Sequence, residues 1–242
     1  MDHTHHSISA TELLSVLGTG RAPRLIDVCV PEDSAAAPWR LPGARHVPHR
    51  SVLNWARSQD SDAPVVIICQ KGLKLSHGAA AQLRSMGFDA RALTGGNHAW
   101  RTDGRPHLAL DTAPDPGTSW VLPATHDARA CITAWLILRW YDPDAALLWV
   151  TPKYVIDVAM RFDGNALPNP MPLGQAFVAL GLICPDLVDF ITAVDTGAFC
   201  GAALLAMLPN LHERDEDLAR AALPFLDTAW LVHRQSAGQE AT

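Results

Sequence analysis

Val65-Val66-Ile67-Ile68-Cys69-Gln70-Lys71-Gly72-Leu73-Lys74-Leu75-Ser76 is the stretch that decides the fold. Four β-branched residues in a row mark a strand covered on both faces, as in a parallel sheet. The strand ends in a cysteine, a short loop containing Gly72 follows, and Ser76 to Met86 carries a helical pattern that Gly87 stops. In that geometry the backbone N–H groups of Gln70 to Leu75 can converge on the Cys69 sulfur. The helix macrodipole adds about half a positive charge from the same side. Both effects favour the thiolate, the reactive form of cysteine, and both would hold the terminal anionic sulfur of a persulfide. Lys71 and Lys74 can attract an anionic sulfur donor, and Gly72 permits the tight turn. Taken alone, the loop also fits a buried strand-end cysteine with no chemical role.

Working outward, Ser9 with Glu12 three residues on reads as a capping box that opens a helix to Leu17. Leu25 to Val30 reads as a short buried strand, and Val47 with its neighbours as another. Ser51 to Arg57 has a helical pattern, and Ala90 to Leu93 returns as a strand. Strands separated by helices imply a parallel sheet with right-handed crossovers.

Four motifs in order then carry a resemblance. Cys69-x-x-Gly72-x-Lys74-x-Ser76 resembles the active loop of the rhodanese family, and Leu25-Ile26-Asp27-Val28 its "LIDVR" strand. Leu41-Pro42-Gly43-Ala44-Arg45-His46-Val47-Pro48 resembles the segment "HIPGAxxIP", and Leu93-Thr94-Gly95-Gly96-Asn97-His98-Ala99-Trp100 the ending "L-x-GG-x-x-x-W". The resemblance implies a rhodanese-like parallel sheet with flanking helices over residues 7–108. It also implies sulfurtransferase activity with Cys69 as the covalent sulfur carrier. Gln70, Lys71, Gly72, Leu73, Lys74 and Ser76 would shape the loop, with Asp27 beside it, and no metal or organic cofactor is called for. Two positions depart from the pattern: Cys29 stands where the family has the arginine of "LIDVR", and Lys74 replaces the loop arginine. Lysine keeps the charge but not the planar fork that grips an oxyanion. Cys29 could resolve a Cys69 persulfide as a disulfide, or be a buried strand cysteine. A phosphatase or arsenate reductase would need an arginine six residues after the cysteine, where this chain has Leu75. Phosphoryl transfer would lack its main charge stabiliser.

From Leu108 to Thr118 the sequence turns to Asp, Thr, Pro and Gly, which reads as a linker over 109–118. Beyond it, a mainly helical α+β domain is expected over 119–235. Ser119 to Leu122 and Ala146 to Val150 read as strands. Asp127 caps a helix running to Tyr141, and further helices are expected near 154–162, 174–181, 186–195, 199–208 and 215–233. The stretch Trp135-Leu136-Ile137-Leu138-Arg139-Trp140-Tyr141-Asp142-Pro143 resembles a segment of the chromate-resistance family, as do Leu147 to Val150 and Ile191 to Asp195. Asp127, Cys131, Trp135 and Arg139 are spaced by four and lie along one side of a helix. They form either a core stripe with a salt-linked rim or, with Asp195, an oxyanion pocket in which Arg139 binds chromate.

Composition narrows the partners. The chain has 242 residues with 19 Lys and Arg against 25 Asp and Glu, a net charge of −6. The basic residues are scattered, so no surface invites nucleic acid. The five cysteines, Cys29, Cys69, Cys131, Cys184 and Cys200, are odd in number and lack metal-ligand spacing, against a disulfide scaffold or zinc knuckle. His3, His5 and His6 are expected in solvent. The longest apolar runs fall short of the ~20 residues of a membrane span. A cytoplasmic setting is expected, with a small anionic sulfur donor and a thiol acceptor as partners. The competing reading is a chromate-responsive sensor, or an interaction protein with a non-catalytic rhodanese module.

Overall fold

The computed structural model describes residues 6–167, 172–199 and 201–240. Cys200, His3 and His5, and parts of the expected 199–208 helix and of the Asn165–Pro172 stretch, lie outside these. The described residues fall into two compact units, one within 1–17 and 21–111, the other within 18–20 and 112–242.

The first unit is built on a five-stranded parallel sheet. Its strands are β1 (Ser7–Ile8), β2 (Arg24–Asp27), β4 (Ala44–His46), β5 (Val65–Ile68) and β6 (Ala90–Leu93), in the order β1-β6-β5-β2-β4. The β-branched run is thus the central strand, every residue of β5 being buried. Its neighbours are in register with it, Asp27 opposite Ile68 and Ala92 opposite Ile67. A separate pair, β3 (Trp39–Arg40) and β7 (His107–Ala109), is antiparallel.

Helix α1 (Ala10–Val16) starts at the expected capping box: Ser9 Oγ accepts from the Glu12 N–H, and the Glu12 carboxylate accepts from the Ser9 N–H at 2.8 Å. Helices α2 (Pro31–Ala36), α3 (Val52–Ala56), α4 (Lys74–Ser85) and α5 (Gly96–Thr102) complete the unit. On one face of the sheet Ile26, Val28, Ile67 and Cys69 pack with Val52 and Ala56 of α3 and Ala79, Ala80 and Leu83 of α4. Each large aliphatic side chain in such a cluster contributes roughly 2 kcal/mol by leaving water.

The structure shortens one expected strand and adds five elements to the first unit, β1, α2, β3, α5 and β7. Strand β2 stops at Asp27 because the Asp27 carboxylate accepts the Cys29 N–H at 2.8 Å, a side-chain turn that takes the backbone out of the ladder. Helix α2, hidden in Pro-Glu-Asp-Ser-Ala-Ala, begins with proline at its first position, where a missing N–H costs nothing. Strand β1 is two residues long, too short for any periodicity.

In the second unit β8 (Ser119–Pro123) lies between β10 (Asn165–Ala166) and β9 (Ala146–Val150), all parallel. Helices α6 (Ala128–Leu136), α7 (Val155–Arg161), α8 (Leu173–Ala179), α9 (Pro185–Asp195), α10 (Ala202–Met207) and α11 (Asp215–Glu240) supply the rest. The core is aromatic: Trp135 meets Trp140 and Phe190, and Trp140 meets Trp230, at ring separations of 6.3, 5.6 and 5.5 Å. The helix expected to run from Asp127 to Tyr141 is not uniform. Residues Ile137–Tyr141 widen into a π turn closed by the Asp142 N–H on the Ile137 carbonyl at 2.9 Å. Among the described residues no helix is long and apolar enough to cross a membrane, and no group of three His, Cys, Asp or Glu could hold a metal ion.

Candidate active site

Cys69 stands one residue past the end of β5, at the C-terminal edge of the parallel sheet, where open α/β sheets place their ligand sites. Its side chain is 4% exposed. A cavity of about 320 Å³ opens over it, lined by Asp33, Cys69, Gln70, Lys71, Leu73, Lys74 and Leu75. Lys71 and Lys74 are exposed at its mouth, and so is Leu73, an unusual place for a leucine.

The loop is held by backbone against backbone. The Asn97 N–H donates to the Cys69 carbonyl at 3.0 Å and the His98 N–H to the Gln70 carbonyl at 2.9 Å. Gly72, at φ +64°, leaves no room for a side chain: a Cβ there would stand 2.6 Å from the amide nitrogens of both Gly95 and Gly96. A Cβ on Gly96, at φ +58°, would collide with the Gly72 nitrogen and the Cys69 carbonyl oxygen. The glycines of the Cys69 loop and of the Gly95-Gly96 turn therefore face one another, and only glycine fits. Trp100 anchors the other end of α5, fully buried with its Nε1 donating to the Pro106 carbonyl at 2.7 Å.

At the sulfur the structure corrects the expected amide cradle. Among the described residues the hydrogen bond at Sγ is to Ser76 Oγ, at 3.2 Å, and the N–H groups of Gln70 to Leu75 make none. The reason is packing: the thiol belongs to the buried cluster under α4, and the first turn of that helix offers it a hydroxyl. Ser76, itself fully buried, passes the chain on to the Leu73 carbonyl at 3.1 Å.

Asp27 does not line the cavity. It is buried beneath it, accepting from the Cys29 N–H and, at 3.3 Å, from Asn97 Nδ2, which also meets Cys29 Sγ at 3.3 Å. Asp27 thus fixes the residue whose own N–H fixes Cys69. Cys29 sits with Asp27 and Asn97 on the α5 side, whereas Cys69 packs with Val28 on the α3 and α4 side. Both are free, buried thiols. The Cys29 thiol is also pushed well above the usual range, by burial first and then by the Asp27 charge. Cys29 is a buried thiol held between Asp27 and Asn97.

This geometry agrees with relatives of known name. A profile of the Rhodanese-like domain matches residues 9–103. The thiosulfate sulfurtransferase GlpE of Pseudomonas fluorescens strain SBW25 is 38% identical over 76 residues, 31% of this chain and 69% of that protein. The chain belongs to the rhodanese family. The protein of the same name in Pseudomonas putida is 37% identical over 78 residues, 32% of this chain and 68% of that one. Among solved structures, a rhodanese-like domain protein from Staphylococcus aureus is 27% identical and covers 39% of this chain and 90% of its own, at a TM-score of 0.36. The rhodanese match covers the first unit and Gly18–Gly20 of the second, and leaves residues 112–242 outside it.

In that second unit the residues read as an oxyanion pocket do not come together as one. Asp127 caps α6, its carboxylate accepting the Ala130 N–H at 2.8 Å. Cys131 is wholly buried, and burial first, with the Asp127 charge second, pushes its thiol up to about 12. Trp135 Nε1 and Arg139 Nε both donate to Asp227 Oδ1, at 2.8 and 2.9 Å. Asp195 pairs with Arg129 instead, through two contacts of 3.0 Å. The core stripe with a salt-linked rim is the arrangement found. Asp227, which decides it, was invisible to a reading by local spacing because it lies 88 residues from Arg139.

Proposed function

We propose that the first unit is a sulfurtransferase that carries sulfane sulfur on Cys69. The observation that supports it is a cysteine at the end of a central parallel strand, opening on a cavity whose mouth bears two lysines. In the first half-reaction the Cys69 thiolate attacks the outer sulfur of a donor such as thiosulfate. A sulfur–sulfur bond forms to Cys69, the bond from that sulfur to the SO3 group breaks, and sulfite leaves with the electron pair. The terminal sulfur of the resulting persulfide lies about 2 Å beyond Sγ, toward the cavity walled by Gln70 to Leu75. The loop amides and the start of α4 then act on this outer sulfur rather than on the resting thiol. In the second half-reaction an acceptor thiolate attacks the outer sulfur, a new persulfide departs, and the Cys69 thiolate returns.

Ser76 has a part in both. Its hydroxyl accepts from the resting thiol, and once the proton has gone the same hydroxyl can turn and donate to the thiolate. The test is incubation with thiosulfate followed by intact mass. An adduct of about 32 daltons that cyanide removes as thiocyanate is the expected result. No adduct, or one that survives Cys69→Ser, overturns the reading.

For the second unit, an association with chromate resistance rests on the likeness of the Trp135–Pro143 segment, and the Arg139–Asp227 pair argues against Arg139 as the anion site. Chromate sensitivity of a deletion strain, complemented by the full chain and not by residues 1–110, would support it. Complementation by residues 1–110 alone would remove it. A cytoplasmic setting would suit a working thiol and is proposed on that ground.

A further inference from the structure

The Cys69 cavity contains a carboxylate that motif reading did not single out. Asp33 lies in the first turn of α2 and lines the cavity together with Cys69, Lys71 and Lys74. Its neighbour Glu32 meets the electrostatic preference of a helix start equally well and is exposed outside the cavity. Among the described residues no ion pair within 4 Å involves Asp33, Lys71 or Lys74. Their charges are therefore available to a ligand. With Cys69 as thiolate, the two lysines are matched by one carboxylate and one thiolate, and the cavity is formally neutral before a donor enters. A cavity with the lysines and no carboxylate would carry a net positive charge and would favour a dianion.

From this balance we infer that Asp33 sets donor selectivity, disfavouring dianionic sulfur donors such as thiosulfate relative to monoanionic ones such as alkyl thiosulfonates. The inference rests on the sulfurtransferase reading of Cys69 and goes beyond it by naming the charge class of the donor. Chemistry is the same for both classes. The Cys69 thiolate attacks the sulfane sulfur, the bond from that sulfur to the oxidised sulfur breaks, and sulfite leaves from thiosulfate or methanesulfinate from methanethiosulfonate. The difference is electrostatic. A doubly charged donor meets twice the repulsion from the Asp33 carboxylate across an open cavity that salt can reach.

The experiment compares kcat/KM for thiosulfate and for the methanethiosulfonate anion in the full chain, read as thiocyanate released by cyanide. Asp33→Asn should raise the thiosulfate-to-methanethiosulfonate ratio by roughly three- to tenfold, and Asp33→Glu should leave it near the wild-type value. Lys71→Gln should move the ratio the other way, and the Asp33→Asn effect should shrink as salt is added. A circular dichroism spectrum and melting temperature at the wild-type values show that each variant keeps its fold. Equal changes for both donors in Asp33→Asn, or a ratio that falls, overturn the assignment of Asp33 while leaving the sulfurtransferase intact. Failure of both donors to load wild-type Cys69 overturns the sulfurtransferase reading itself and this inference with it.

Discussion

Arg139 is held by Asp227: its Nε donates to Oδ1 at 2.9 Å and its Nη2 to Oδ2 at 3.2 Å, the two-pronged geometry that suits a guanidinium. The same carboxylate accepts Trp135 Nε1 at 2.8 Å and the Gly20 N–H at 2.7 Å. A carboxylate with four donors, in a largely buried setting, orders the core of the second unit and balances the Arg139 charge that an external anion would need. Asp227→Ala should strand a guanidinium and an indole N–H together. A loss of about 3 kcal/mol follows from breaking one side of such a pair. Urea unfolding followed by tryptophan fluorescence reads it, since Trp135, Trp140 and Trp230 all lie in this core. A loss below about 0.5 kcal/mol, the size of an ordinary surface change, would show that the network is ornamental.

The clamp between two glycine turns gives a second prediction. Gly96→Ala places a Cβ against the Cys69 carbonyl at a positive φ, and Gly72→Ala places one against the amides of Gly95 and Gly96. Left-handed strain alone costs about 1–3 kcal/mol, and the collision adds to it. Both variants should lose the sulfur adduct on Cys69, whereas Gly78→Ala, on the exposed side of α4 where a Cβ meets nothing within 4 Å, should keep it. Mass spectrometry after thiosulfate treatment separates the cases. An adduct of wild-type yield on Gly96→Ala would refute the clamp.

The contact between Cys69 Sγ and Ser76 Oγ predicts an effect on reactivity rather than on folding. Removing the hydroxyl takes away the donor that a thiolate would use, and hydrogen bonds to charged groups are worth about 1.5–3 kcal/mol. Ser76→Ala should therefore slow iodoacetamide labelling of Cys69 by about tenfold or more at neutral pH, with the melting temperature little changed. Ser76→Thr, which restores the hydroxyl, should recover part of the rate. Unchanged labelling in Ser76→Ala would remove Ser76 from the mechanism.

How far these features were legible in the sequence depends on whether their cause is local. The Val65–Ile68 run, the loop after it and the capping box at Ser9 are local, and each stands where the sequence places it. The "L-x-GG-x-x-x-W" ending was legible as a motif, but its reason was not. That reason is a contact between two turns that meet only in the fold, Gly72 against Gly96. Asp33 was missed because an acid in the first turn of a helix has an ordinary explanation, and nothing nearby in sequence says that it lines the cavity of Cys69. The Asp127 to Arg139 stripe left two readings open for a related reason. Spacing by four fixes which residues share a helix face, not what lies opposite. Here the opposite face supplies Asp227, and a π turn interrupts the spacing at Ile137.

Alkaline pH tests the buried cysteines. Burial pushes the Cys131 and Cys184 thiols up to about 12, from the ordinary 9.0 that each would have in the unfolded chain. A group whose pKa is raised by folding keeps its proton longer in the folded state. Its contribution is therefore complete below pH 9 and is lost progressively as pH climbs from 9 toward 12, because the unfolded thiol ionises first. In that window each such thiol removes about 1.4 kcal/mol of stability per pH unit. Unfolding free energies of the second unit, measured between pH 8 and 10.5, should hold level to about pH 9 and then fall. Cys131→Val, which keeps the volume close and removes the ionisable group, should reduce the slope by one thiol's share. The reference for the comparison is pH 8, where both proteins carry neutral side chains at this position. An identical slope in wild type and Cys131→Val would show that the Cys131 thiol is not held neutral by burial in the folded chain.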